Sequence, residues 1–265
     1  MCGTFLYYAI AIDNTILPAL SDISSEQSKA TTNTEKQVAK LLNYLASNPQ
    51  AEIQYIVSGI QLAIHEDASY LSVAQARSRA SGVHFLTEGP PEPENPEYFM
   101  PTTNGILIVV YKIMHNIMAS AAEAEYGTIF IKAQTSVPIR TTLSEMGWPQ
   151  GPTSIQVNNS TVVGIATKEF HQKKSKAMDI RFCWINDRIK QVQFHVFWRP
   201  GPEKLGDYHS KHHPSEHHRA VCSKYLHVPN LRSLKGCVNL TVRVNPTKRD
   251  NQQAKLERYF LECVS

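Results

Sequence analysis

The order of the periodic segments constrains this chain most. From residue 60 it shows three strand patterns in succession, and only then begins to alternate strands with helices. "IQLAIHEDAS" (60–69) sets Ile60, Leu62 and Ile64 against Gln61, Ala63 and His65, the two-residue period of a strand. "SRASGVHFLT" (78–87) and the β-branched "GILIVVYKI" (105–113) supply two more. Between them "EGPPEPENPEYFMPTTN" (88–104) carries five prolines and is expected as a loop. A helix is expected over 121–134, capped by Ser120, with Pro138 kinking or restarting it before a stop at Gly147. "TSIQV" (153–157) is a fourth strand, 160–190 is mostly helical, "QVQFHVFW" (191–198) is a fifth strand, and a short helix starts near Glu203. In the fifth strand Val192, Phe194, Val196 and Trp198 share a face. The order β-β-β-α-β-α-β-α implies an α/β fold with a mixed five-stranded sheet and flanking helices.

Outside this frame, "EKQVAKLLNYLASN" (35–48) spaces Val38, Leu41, Leu42 and Leu45 as an amphipathic helix that Pro49 ends. "MCGTFLYYAIAI" is apolar but has no basic flank and is interrupted by Asp13, so neither a signal peptide nor a membrane span is expected. The five cysteines form no Cys-x-x-Cys pair and no disulfide framework, which suits a reduced intracellular compartment. A net charge of +4 permits an anionic partner without demanding one.

Three acids stand where α/β proteins collect ligands, at strand ends and helix starts. Asp67 closes the first strand, Glu125 lies in the first turns of the long helix, and Asp207 opens the last one. Singly, each suits a solvated or capping acid. Together they are the oxygen ligands that hold two divalent cations, Mg²⁺ or Mn²⁺, against a phosphate. Such a site wants about four carboxylates to offset two dications. The fourth strand, however, runs into Asn158 and Asn159.

These residues carry a family resemblance spanning roughly residues 2–213. The chain resembles the C-terminal part of a copia-type retrotransposon polyprotein: the end of the reverse transcriptase and its ribonuclease H domain. "GTFLYYAIAIDNTILPAL" is similar to that family's "VGSLLY…RPDI…AVS", and "KLLNYLASNPQAEIQY" to "RILRYLKGT…GLxY". "HEDASYLS" resembles "SDADWA", "SAAEAEYGTIF" resembles "STEAEYxAL", and "IQVNNSTVVGIA" resembles "xxxDNxSAIxLA". "KKSKAMDIRFCWINDRI" looks like "RTKHIDIRYHFIRE", and "LGDYHSKHH" like "xADxxTK". The resemblance implies a ribonuclease H fold over 59–213, preceded by a connection segment over 1–58 and followed by a tail, 214–265, that matches nothing. It implies two-metal hydrolysis of the RNA strand in RNA–DNA hybrids, with catalytic positions at Asp67, Glu125, Asn158 and Asp207. Asp67, Glu125 and Asp207 would be the metal ligands. An upstream polymerase domain is the implied partner, and residues 1–58 would then expose the apolar surface that packed on it.

At Asn158 the family carries Asp. An amide gives one neutral oxygen and two donors where a carboxylate gives two anionic oxygens. The expected consequence is impaired hydrolysis with hybrid binding retained. Glu66 and Gly206 also depart from the family pattern, which has a small polar residue and Ala there. Two further readings stay open: an active Mg²⁺-dependent nuclease in which a neighbour such as Glu66 completes the site, and a non-catalytic nucleic-acid-binding or structural module. The run 168–190 holds seven Lys/Arg against three acids. Lys173, Lys174, Lys176 and Arg181 are candidates for a basic groove wall, against an equal expectation of a solvated helix face. Asp179 in that run is taken as structural. "HSKHHPSEHH" (209–218) contains five histidines, but its spacing fits no standard zinc pattern, and a polar surface stretch is expected.

Overall fold

The computed structural model describes residues 2–49, 51–89, 101–167, 176–200, 205–211 and 213–226, and for 176–179 the backbone alone. The described residues belong to one compact unit, Met1–Pro229. Its centre is a five-stranded sheet of order β3-β2-β1-β4-β5. The strands are β1 (Gln61–Val73), β2 (Arg77–Thr87), β3 (Ile106–Ile113), β4 (Thr153–Val157) and β5 (Phe194–Trp198). β1, β2 and β3 pair antiparallel, while β1–β4 and β4–β5 pair parallel. This is the mixed five-stranded sheet with flanking helices that the sequence implies.

The strand period sorts residues onto two cores. On one face, Ile64, Ile155, Val157, Phe194 and Val196 pack with Tyr126, Ile129, Val162 and Ile185. The helices there are α4 (Ala121–Glu145), α5 (Ser160–Ala166) and α6 (Lys176–Lys190). On the other face, Ala63, Val83, Phe85, Ile106 and Val109 pack with Phe5, Ile16, Leu20, Leu41, Leu205 and Tyr225. The elements there include α1 (Cys2–Ala11), α2 (Leu17–Ser25), α3 (Thr32–Ser47) and α7 (Gly206–Ser210). A last helix, α8 (Ser215–Val221), follows α7. β1 and β2 are thus covered on both sides, which is why β2 is buried along nearly its whole length.

Several local expectations change. α4 runs through Pro138 unbroken. Proline removes one backbone donor, and packing of the buried α4 face against the sheet outweighs that loss. Ser120 caps the helix as expected, its hydroxyl accepting from the Glu123 N–H at 3.1 Å. β5 is shorter than expected, because Val192 takes a positive φ of 58° in the turn before it. β1 is longer, continuing to Val73 alongside β2, so Asp67 lies within a strand opposite Ser81 and not at a strand end. α1 buries Phe5 and Ala9 while Leu6, Tyr7 and Ile10 face outward.

Candidate active site

Asp67 and Asn158 lie just past the point where the parallel part of the sheet ends. The last β1–β4 pair is His65 with Gln156, and Asp67 and Asn158 each lie two residues further along. Asp67 is buried. Two polar contacts lay α7 and its leading residue Leu205 against β1, one holds it to β2, and one ties Leu205 to Tyr225. The Leu205 N–H donates to His65 Nδ1 at 3.2 Å. The Tyr225 hydroxyl donates to the Leu205 carbonyl at 2.7 Å. Ser81 Oγ donates to the Gly206 carbonyl at 3.0 Å. The Ser210 hydroxyl donates to Asp67 Oδ2.

Gly206 is what permits this approach. A Cβ there would stand 2.9 Å from the Glu66 carbonyl carbon and 3.1 Å from the Asp67 nitrogen. The departure from alanine at this position therefore has a steric cause: the backbones of α7 and β1 are too close for a methyl group. Asp207, next in the chain, is brought to the same edge.

Lys211, one turn after Asp207, forms an ion pair with Asp207 Oδ1. Partial burial pulls its ammonium down. Its hydrogen bond to Asp207 and the fields of Asp67, Asp207 and Glu125 outweigh that and hold it above the ordinary lysine value. All three sequence-predicted acids therefore act on one ammonium. Glu125 lies in the second turn of α4 and acts on Lys211 through its field, the weakest of the causes that raise it. The sequence placed Ser210 and Lys211 only within "LGDYHSKHH", where "SK" stands for the family's "TK", and assigned neither a role.

Asn158 and Asn159 divide the work of the strand end. Asn159 caps α5, its Oδ1 accepting from the Thr161 N–H at 3.0 Å. The Asn158 carbonyl accepts from the Trp198 indole N–H at 3.0 Å. Its side-chain Oδ1 is buried and receives no hydrogen bond among the described residues. Glu66 does not stand beside Asp67. It alternates to the opposite face of β1, fully buried, near the Lys132 amine of α4.

The basic run is divided. Lys173 and Lys174 lie outside the described residues, and α6 begins at Lys176. Arg181 lies over the Phe130 ring of α4, 5.7 Å from its centroid. The histidine stretch is not a uniform surface. His209 is fully buried, with Nε2 2.9 Å from Asn14 Oδ1, and Tyr208 pairs with His218 Nδ1 at 2.6 Å. It packs against the N-terminal helices because Asn14, Tyr44 and Tyr225 supply polar and ring partners there.

Among the described residues no group of three or more His, Cys, Asp or Glu is gathered closely enough to hold a metal ion. The donor chemistry at the edge is right, but Ser210 and Lys211 engage two of the carboxylates. As arranged, the residues do not form a ready divalent-ion site. Among the described residues no helix is long and apolar enough to cross a membrane.

No family model matches the sequence, and no curated protein matches it. Solved structures similar to the chain include ribonuclease H proteins and a reverse transcriptase. One is the N-terminal ribonuclease H domain of a Mycobacterium tuberculosis protein fused to maltose-binding protein. It is 10% identical, with 62% of this chain and 97% of that one covered and a TM-score of 0.38. A compost-derived ribonuclease H1 in complex with an RNA/DNA hybrid is 11% identical, covering 56% and 91%, with a TM-score of 0.37. The prototype foamy virus protease-reverse transcriptase is 12% identical over 55% of this chain and 18% of that one, with a TM-score of 0.35.

Proposed function

We propose that this chain is a ribonuclease H-like module, derived from the end of a copia-type reverse transcriptase, that binds RNA–DNA hybrids and cuts them poorly or not at all. The observation carrying this reading is the close packing of α7 on β1, where Ser210 donates to Asp67 and Lys211 pairs with Asp207, with an amide at position 158 beyond the end of the β1–β4 pairing. In this reading Asp67, Glu125 and Asp207 offer three carboxylates and Asn158 one neutral oxygen, where two dications call for about four anionic ligands. Mg²⁺ or Mn²⁺ belongs to this reading as the ions the acids would hold, with Asp67, Glu125 and Asp207 as ligands. Asn158 brings no charge.

The alternative in which Glu66 completes the site loses support from its burial on the opposite face of β1. Binding needs less than cleavage. Phosphate contacts from a mildly basic surface attract a hybrid without any reaction at the acid edge. The upstream polymerase domain remains the partner in this reading, and the outward Leu6, Tyr7 and Ile10 of α1 offer apolar surface for it.

The test is fluorescence anisotropy with a labelled RNA–DNA hybrid, duplex DNA and duplex RNA over a range of salt. The reading expects hybrid binding that exceeds binding to duplex DNA and weakens steadily as salt rises. Equal binding to all three duplexes, or none to the hybrid, contradicts it.

A further inference from the structure

The acid edge already contains a cation. Asp67 is fixed by the Ser210 hydroxyl, Asp207 by the Lys211 ammonium, and both donors come from the same short segment that carries Asp207. We propose that Lys211 is an internal counter-ion that competes with divalent metal for this site, so that a metal ion enters only by displacing the ammonium. The inference rests on the reading of Asp67, Glu125 and Asp207 as the metal-binding acids.

The argument is one of charge and reach. Asp67 and Asp207 carry like charge against one short segment, and a folded chain must neutralise such charges or hold them apart. Here an ammonium on a flexible four-carbon stem is supplied four residues after Asp207. It meets an Asp207 oxygen directly, so that oxygen is not available to a metal while the pair persists. An incoming dication meets a like charge at contact range, and at the dielectric of a protein surface that repulsion is far from negligible. With aspartate at position 158 a fourth carboxylate would outvote one lysine. With asparagine there, the balance favours the ammonium. Lys211 is about half exposed. Its stem therefore supports no core packing, and it is free to swing away when a stronger cation is offered.

The test is a titration with Mn²⁺ alone, with free Mn²⁺ read by electron paramagnetic resonance. It compares the full chain with Lys211→Gln, Lys211→Arg, and Lys211→Gln combined with Asp67→Asn. The proposal expects Lys211→Gln to tighten Mn²⁺ binding by on the order of tenfold or more, with Lys211→Arg staying as weak as the parent. Adding Asp67→Asn to Lys211→Gln should abolish the gain. If Lys211→Gln and the parent bind Mn²⁺ alike, or neither binds, Lys211 is not a competitor and the proposal is overturned. If Lys211→Gln binds more tightly but Asp67→Asn leaves the gain intact, the metal sits elsewhere. That outcome overturns the reading of the acid edge itself, along with the proposal. Lys211→Arg keeps the charge and guards against an effect of altered folding.

Discussion

Residues 66 and 67 are neighbours in β1, yet they serve two different charged regions, each with its own lysine. Glu66 points under α4 toward Lys132, and both are fully buried. Asp67 points toward α7, where Lys211 stands half exposed. Under α4, burial drives the Lys132 amine well below the ordinary lysine value, and the field of Glu66 only partly offsets this. His84 beside it is likewise pushed down to about 3, by burial first and by Lys132 second. At the α7 edge the same opposing influences give the reverse outcome, and Lys211 is held above its ordinary value. Solvent makes the difference. A fully dehydrated amine loses more than one carboxylate returns, while a half-hydrated one keeps its charge and gains from three. The α4 region is therefore a dehydrated structural seam that disfavours charge on Lys132, while the α7 edge favours the ammonium of Lys211.

Each region depends on a glycine that lets two backbones meet, and substitution there should break the contrast most sharply. Gly82 holds a φ of +144°, and a Cβ would stand 2.2 Å from the His65 carbonyl oxygen. Gly82→Ala should destabilise the protein by on the order of 4 kcal/mol in urea unfolding, since both strain and overlap oppose it. Gly206→Ala meets β1 at 2.9–3.1 Å. It should cost about 2 kcal/mol and push α7 outward, weakening the Asp207 position before it unfolds the sheet.

The seam should also announce itself in pH. The histidines at 84 and 209 have folded values near 3 against an ordinary 6.5, so the unfolded chain takes up protons that the folded one refuses. Stability is complete above pH 6.5 and falls as the pH drops toward 3, by about 1.4 kcal/mol per unit for each histidine. His84→Asn should remove roughly half of that slope in denaturation curves taken between pH 6 and 4.5. Lys132 acts in the same sense at higher pH: below its ordinary value of 10.5 the unfolded state again holds the extra proton. Lys132 therefore contributes stability that grows as the pH rises toward 10.5, and Lys132→Met should remove that contribution. Lys211 supplies the smallest effect. As an exposed partner, Lys211→Gln should change stability by no more than about 0.5 kcal/mol in the same unfolding assay.

The sheet was legible because its signals are local. Alternation in 61–69, 78–87 and 106–113 fixed three strands and their faces, and the capping Ser120 fixed the start of α4. α1 and α2 were not legible. "CGTFLYYAIA" is apolar all round, so no 3.6-residue stripe marks it, and only the packing of Phe5 and Ala9 with α2 and the turn before it selects its inner side. The candidate acids could be picked out by type and by position at strand ends and helix starts, although Asp67 proves to lie within β1, which runs six residues beyond it. Their counter-ion could not, because a lysine four residues from an aspartate looks like any surface helix pair until the fold brings Asp67 and Glu125 to it. The run of histidines misled for a related reason: polarity suggested a surface, whereas Asn14 and Tyr208 provide partners that let His209 be buried.

The most direct measurement compares cleavage of a labelled RNA–DNA hybrid by the chain as it stands and by Asn158→Asp, in Mg²⁺ and in Mn²⁺. The account predicts no detectable cleavage by the chain itself and a gain of at least about a hundredfold with Asn158→Asp, because each tenfold in rate is about 1.4 kcal/mol of barrier and a missing anionic ligand is worth more than one such factor. Cleavage by the unaltered chain at the rate of Asn158→Asp would contradict it, since the amide at position 158 would then cost the site nothing.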